Sequence, residues 1–274
     1  MSQEEILIKP DGNIKNYWRD LWSYRELFYF LAWRDIAVRY KQTVIGFGWS
    51  VIRPVLTMVI FTVVFGRLAK LPSEGVPYPV LVFSAMLPWQ FFANALTESS
   101  NSLISNAQML SKVYFPRLAI PASAVMVSFV DFLISLIVLF ILMVWYQVAP
   151  SWRIVTLPIL TLLAFGAAMG AGLWFASLNV KYRDFRYIVP FIVQLGIYIS
   201  PVGFSSSIVP PKWRLLYSLN PMAGVIDGFR WAITGNDAEA YWPAVALSVI
   251  IITLLLFGGI WQFRKTERSF ADVI

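Results

Sequence analysis

The sequence predicts an all-α membrane protein with six transmembrane helices and both termini in the cytoplasm. Three observations predict it. Of 274 residues, 58% are apolar and 14% charged, where soluble globular chains carry about 25% charged residues. Apolar runs of about 20 residues, enough to cross about 30 Å of hydrocarbon, recur at 44–66, 78–97, 121–146, 154–178, 187–203 and 243–263. Finally, fifteen Lys and Arg residues fall on the side of the termini, six on the other, and Arg53 within the first span, so the positive-inside rule places both termini in the cytoplasm.

The same composition excludes whole classes of chemistry. With no Cys and no His, the chain offers no disulfide, thiol nucleophile, imidazole relay or zinc site. The net charge of +7 is spread over four cytoplasmic segments, which fits membrane topology and anionic headgroups rather than nucleic acid. No cleavable signal peptide is expected, because the first 40 residues lack an uncharged apolar core.

The chain divides into a cytoplasmic arm (1–43), a six-span domain (44–263) and a cytoplasmic tail (264–274). In the arm, Trp18, Leu21, Trp22, Phe28, Tyr29, Trp33, Ile36 and Tyr40 recur at helical spacing among charged residues. That pattern reads as an amphipathic helix in the inner interface, against membrane lipids and open to docking a partner. Between spans 2 and 3, Met109, Leu110, Val113 and Tyr114 form the apolar edge of a short helix closed by Pro116. The edge suits either a groove on another protein or the bilayer surface. Span 5 is the shortest, with Pro190 and Pro201 near its ends. Before span 6, Asn220-Pro221 gives an N-cap and first-turn proline, Met222, Val225, Ile226, Phe229 and Ile233 follow at helical spacing, and Gly235 stops the helix. Such a helix sits in the outer interface or re-enters the membrane to line a cavity.

Two charges fall inside hydrocarbon. Arg53 is nine residues into span 1 and Asp131 ten into span 3, which puts both at a depth of about 14 Å; an ion pair between them is the expected way to hold them there. The spans also carry Trp89, Phe91, Phe92, Trp174, Phe191 and Tyr198. Their faces would stack on sugar C–H faces with little demand on sequence, which suits a polymer channel.

Short motifs in fixed order then connect the chain to a family. They are Trp33-Arg34-Asp35-Ile36, Arg39-Tyr40-Lys41-Gln42-Thr43, Gly48-Trp49, Arg53-Pro54, Phe61-Thr62-Val63-Val64-Phe65-Gly66, Val113-Tyr114-Phe115-Pro116-Arg117, Tyr182-Arg183-Asp184-Phe185-Arg186, Ser200-Pro201-Val202, Leu219-Asn220-Pro221-Met222 and Gly228-Phe229-Arg230. With these the chain resembles the transmembrane subunits of ABC-2 type polysaccharide exporters, which move lipid-linked O antigen, capsule or wall teichoic acid across the bacterial inner membrane. The resemblance implies a homodimer with two separate ABC ATPase subunits. It implies that the amphipathic arm frames the cytoplasmic entrance, with Arg34, Arg39 and Lys41 facing the carrier's negative head group or ordinary anionic lipid. It makes Gln108, Met109, Leu110, Lys112, Val113 and Tyr114 the coupling helix seated on the ATPase. It also gives Asn220, Pro221, Asp227, Phe229 and Arg230 to an outer, re-entrant gate. No Gly-x-x-x-x-Gly-Lys-Ser/Thr loop is present, so ATP and Mg are expected on the partner and not on this chain. The chain itself is expected not to be an enzyme. The competing readings are an ABC-2 exporter of a small drug-like or lipid substrate and a secondary transporter, the latter needing repeated halves.

Overall fold

The computed structural model describes residues 14–41, 48–73, 75–112, 115–235, 241–267 and 270. The regular elements among them are all helical. Two N-terminal helices, α1 (Ile14–Ser23) and α2 (Arg25–Lys41), precede α3 (Gly48–Phe61), which runs into a π-helical stretch at Thr62–Leu68. Then come α4 (Tyr78–Ser105), the one-turn α5 (Ala107–Leu110), α6 (Ala119–Trp145), α7 (Leu157–Lys181), α8 (Phe185–Ile199), α9 (Pro211–Tyr217), α10 (Pro221–Thr234) and α11 (Trp242–Glu267).

Burial separates the centre of the bundle from its rim. In the most apolar stretch of α4, 83% of residues are buried, against 17% for Gly48–Leu68 and 22% for α11. α4 is therefore the hub, and α3 and α11 present most of their apolar surface outward. The central core joins α4 to α6, α7 and α10 through Phe91, Phe132, Ala164, Ala168 and Phe229. α7 and α11 meet backbone to backbone: a Cβ on Gly170 would lie 2.6 Å from the Leu255 carbonyl carbon, an approach that small residues permit in apolar helix pairs. A second core lies at one end. It gathers Leu31 from α2, Leu103 from α4, Leu110, Phe115, Leu118, Val180 from α7, and Phe263 with Phe270 at the end of α11. N-terminal helices, the α5 segment and the last span are thus packed as one unit.

Among the described residues, five helices are long and apolar enough to cross a membrane: Gly48–Leu68, Tyr78–Ser105, Ala119–Trp145, Trp152–Lys181 and Trp242–Glu267. These match five of the six expected spans within a few residues at most ends. The other, α8, has 15 residues, about 22 Å of helix, short of a full crossing by itself. It nevertheless carries the chain from one end of the bundle to the other. At its start, Asn179 donates to the Ser100 carbonyl near the end of α4; past its end, Tyr78 at the start of α4 donates to the Gly203 carbonyl at 2.6 Å.

Candidate functional site

α8 is poorly covered by the rest of the bundle. Among its residues only Val189 is buried, with Val193 and Ile197 partly so on the same side. Gly196 lies directly on the Trp89 ring of α4. On the opposite side Tyr187, Phe191, Gln194 and Tyr198 are exposed, at i, i+4, i+7 and i+11, and so form one straight stripe about 16 Å long. Ile188, Ile192, Leu195 and Ile199 form an aliphatic stripe beside it. At its far end Tyr198 stacks on Phe61 of α3 at 6.4 Å, where α3 exposes Leu56, Val59 and Ile60 and the π-helical stretch exposes Val64. The exposed faces of α3 and α8 thus meet at that ring contact, and the face of α8 is apolar with rings and a single amide along its middle.

Three of the expected channel aromatics belong elsewhere. Trp89, Phe91 and Phe92 are 5%, 2% and 8% exposed. Phe91 packs among Phe129, Phe132 and Phe165 with ring centroids 5.4–6.3 Å apart. These are core residues, and Trp89 is the seat for α8. Trp174 lies against Gly258 and Gly259 of α11. Of the expected set, Phe191 and Tyr198 are on the stripe; Tyr187 and Gln194 complete it, at a spacing from those two that is visible in the sequence.

The expected Arg53–Asp131 pair is also corrected. Asp131 binds Arg39 at 3.0 Å and accepts from Tyr40 at 2.6 Å and Ser50 at 3.0 Å, while Arg53 lies over the Trp49 ring at 5.8 Å. The depth argument failed because the two spans do not start level: α6 begins alongside α2, so its thirteenth residue meets the end of α2 and the start of α3. Burial, then the bond to Asp131, pushes the Tyr40 hydroxyl up to about 12, so it remains a donor at neutral pH. Exchanging the charges as Arg39→Asp with Asp131→Arg should recover part of the thermal stability that either single change loses. The same exchange made at Arg53 should recover none, as read by the fraction of purified protein left monodisperse after heating. Each single change should cost about 1–3 kcal/mol.

This engagement changes the expected entrance cluster. Arg39 is held by Asp131 with Glu98 at 3.9 Å, and Arg34 binds Asp35 at 2.7 Å and donates to Asn106 at 3.1 Å. Only Lys41 of the three is an exposed cation without such a partner among the described residues.

In the α5 segment the apolar edge turns inward. Leu110 is 7% exposed and sits in the second core with Met109 packed against it, whereas Gln108, Ser111 and Lys112 are exposed. Val113 and Tyr114 lie outside the described residues. Just beyond, Arg117 and Glu267 clasp each other's backbone: the Arg117 N–H donates to the Glu267 carboxylate at 2.9 Å, and the Arg117 guanidinium to the Glu267 carbonyl. The α5 segment is thereby tied to the end of α11.

α10 is buried on every side between α4, α7 and α11, with Met222 to Arg230 all buried. Asn220 caps it as expected, accepting from the Met222 N–H at 3.0 Å, and Gly235 ends it at φ 65°, where a side chain would be strained. Asp227, Phe229 and Arg230 therefore face protein interior and not an outer opening. Arg230 donates to the carbonyls of Phe204 at 2.6 Å, Val202 at 2.9 Å and Leu81 at 3.4 Å. It fixes the segment after α8 against the start of α4.

Similar proteins agree on what this architecture is. The family model described as ABC-2 type transporter matches residues 26–234. An O-antigen export system permease protein RfbA of Klebsiella pneumoniae is 29% identical over 254 residues, covering 91% of this chain and 95% of that protein. The protein of the same name from Myxococcus xanthus is 26% identical, covering 93% of this chain and 98% of its own length. The inner membrane transport permease YadH of Escherichia coli K12 is 27% identical over 80% of this chain and 89% of its own. With a family model matched over most of its length, the chain belongs to the ABC-2 type transporter family, as a membrane component with helices able to span the bilayer.

Proposed function

We propose that this chain is the permease of an ATP-driven exporter that moves a lipid-linked cell-surface polysaccharide, O antigen foremost and capsule or teichoic acid otherwise, across the bacterial inner membrane. α8 with the turn residues after it makes the sixth crossing, so both termini are cytoplasmic. Two copies meet through the exposed faces of α3 and α8, and two separate ABC ATPase subunits seat on the exposed side of α5. The polymer passes along the two α8 stripes, and α9, with Trp213, Leu215 and Leu216 exposed, closes the outer mouth.

The observation that carries this reading is the stripe of Tyr187, Phe191, Gln194 and Tyr198. Rings in a row offer a sugar polymer many equivalent stacking positions, so it slides without a deep well; the relatives' names point to the same cargo. Replacing Tyr187, Phe191 and Tyr198 together by leucine keeps the helix apolar and removes the flat faces. Glycan export by the reconstituted permease and ATPase complex should fall at least about tenfold, with the complex still assembled. Undiminished glycan export would contradict the reading, and loss confined to small apolar substrates would favour a drug or lipid exporter.

A further inference from the structure

We propose that the turn between α7 and α8 is the binding site for the diphosphate of the substrate's lipid carrier, held by Arg183 and Arg186 with Lys181 as a third positive group. This rests on the proposed function for its substrate class. The turn is built to face its cations outward. Phe185 packs on Phe175 at 5.9 Å and on Tyr182 at 6.4 Å, which pins the turn to α7, while Lys181, Arg183, Asp184 and Arg186 are exposed. Lys181 rests over the Tyr182 ring at 5.0 Å. Arg183 and Arg186 make no side-chain hydrogen bond, ion pair or ring contact among the described residues, and three cations stand against the single carboxylate of Asp184.

That freedom sets them apart from most arginines nearby, although the exposed Lys41 and Lys112 share it. At the same end of the bundle Arg34, Arg39 and Arg117 are bound to Asp35, Asp131 and Glu267, and Arg264 lies over Tyr17 at 4.6 Å. Val180 in the second core and the Asn179 bond to Ser100 place the turn at this end. Arg183 lies in the turn four residues before Tyr187 and Arg186 in the first turn of α8, so the pair sits at the end of α8 where the aromatic stripe begins. A diphosphate carries more charge than a phospholipid headgroup and offers oxygens to two guanidinium forks at once. Held there, it would present the first sugar to Tyr187.

The test uses the whole permease and ATPase complex in phosphatidylcholine nanodiscs, a radiolabelled polyprenyl diphosphate without sugar as probe, and phosphatidylglycerol as competitor. Wild type should bind the probe saturably and keep it against an equal amount of phosphatidylglycerol. The double variant Arg183→Gln with Arg186→Gln should bind it about tenfold or more weakly while remaining monodisperse and correctly oriented. Arg183→Lys with Arg186→Lys, which keeps the charge but loses the forks, should fall between the two or match the glutamine pair. Equal binding by wild type and the glutamine pair overturns the site, as does full binding by the lysine pair. Displacement of the probe by an equal amount of phosphatidylglycerol reduces the turn to a general anionic-lipid contact and also overturns it. Binding is read without export, so the two proposals fail separately: a wild-type complex that binds the diphosphate but exports no glycan refutes the function and leaves the site.

Discussion

Arg230→Met is expected to lower the yield of folded permease severalfold. Arg230 is 5% exposed and its guanidinium satisfies carbonyls of Val202, Phe204 and Leu81. Methionine fills most of the volume and gives none of the donors, so at least two strongly bonded carbonyls lose their partner in a site that excludes water. An unpaired buried polar group costs about 1–3 kcal/mol, and the loss of a buried charged hub is about 3–5 kcal/mol, a large share of a typical total of about 5–15 kcal/mol. The expected result is a severalfold loss of monodisperse protein from detergent extracts. Arg230→Lys should be intermediate, because one ammonium cannot span carbonyls on both sides of the segment after α8. If Arg230→Met extracts as well as wild type but fails in export, the residue is a gate after all and its carbonyl bonds are incidental.

What the sequence made legible was whatever is encoded locally. Five spans, the Asn220 cap and the Gly235 stop follow from run length and from cap chemistry within a few residues. Arg230 as a clamp was illegible, since its partners are main-chain carbonyls up to 149 positions away, and any residue carries a carbonyl. Asp131 announced itself as an intramembrane charge, but its partner depended on the relative heights of α2, α3 and α6, which no single span records. The aromatics divide in the same way. Helical spacing shows that Phe191 and Tyr198 share a face; it cannot show that this face is open whereas the one bearing Phe91 is filled by Phe129, Phe132 and Phe165.

The α5 segment turns that distinction into an experiment. Read from sequence, Met109 and Leu110 are its docking edge, and truncating them should uncouple the ATPase. With Leu110 in the second core beside Leu31, Leu103 and Phe263, Leu110→Ala should instead destabilise the permease by about 2–4 kcal/mol and lower export through the amount of folded protein. Under the proposed function, the docking surface is the other side. Gln108→Glu with Lys112→Glu changes exposed groups only, so the permease should extract normally. Its ATPase should co-purify poorly, and glycan exported per ATP hydrolysed should fall about tenfold or more, since two new like charges at a polar seat cost several kcal/mol. That outcome would give the two sides separate roles: the exposed one would receive the push, and Leu110, with the Arg117 and Glu267 clasp, would pass it to α2, α4 and α11 together. Normal coupling in the glutamate pair, with uncoupling at full protein level in Leu110→Ala, would restore the apolar edge as the contact and require α5 to roll outward when the ATPase binds.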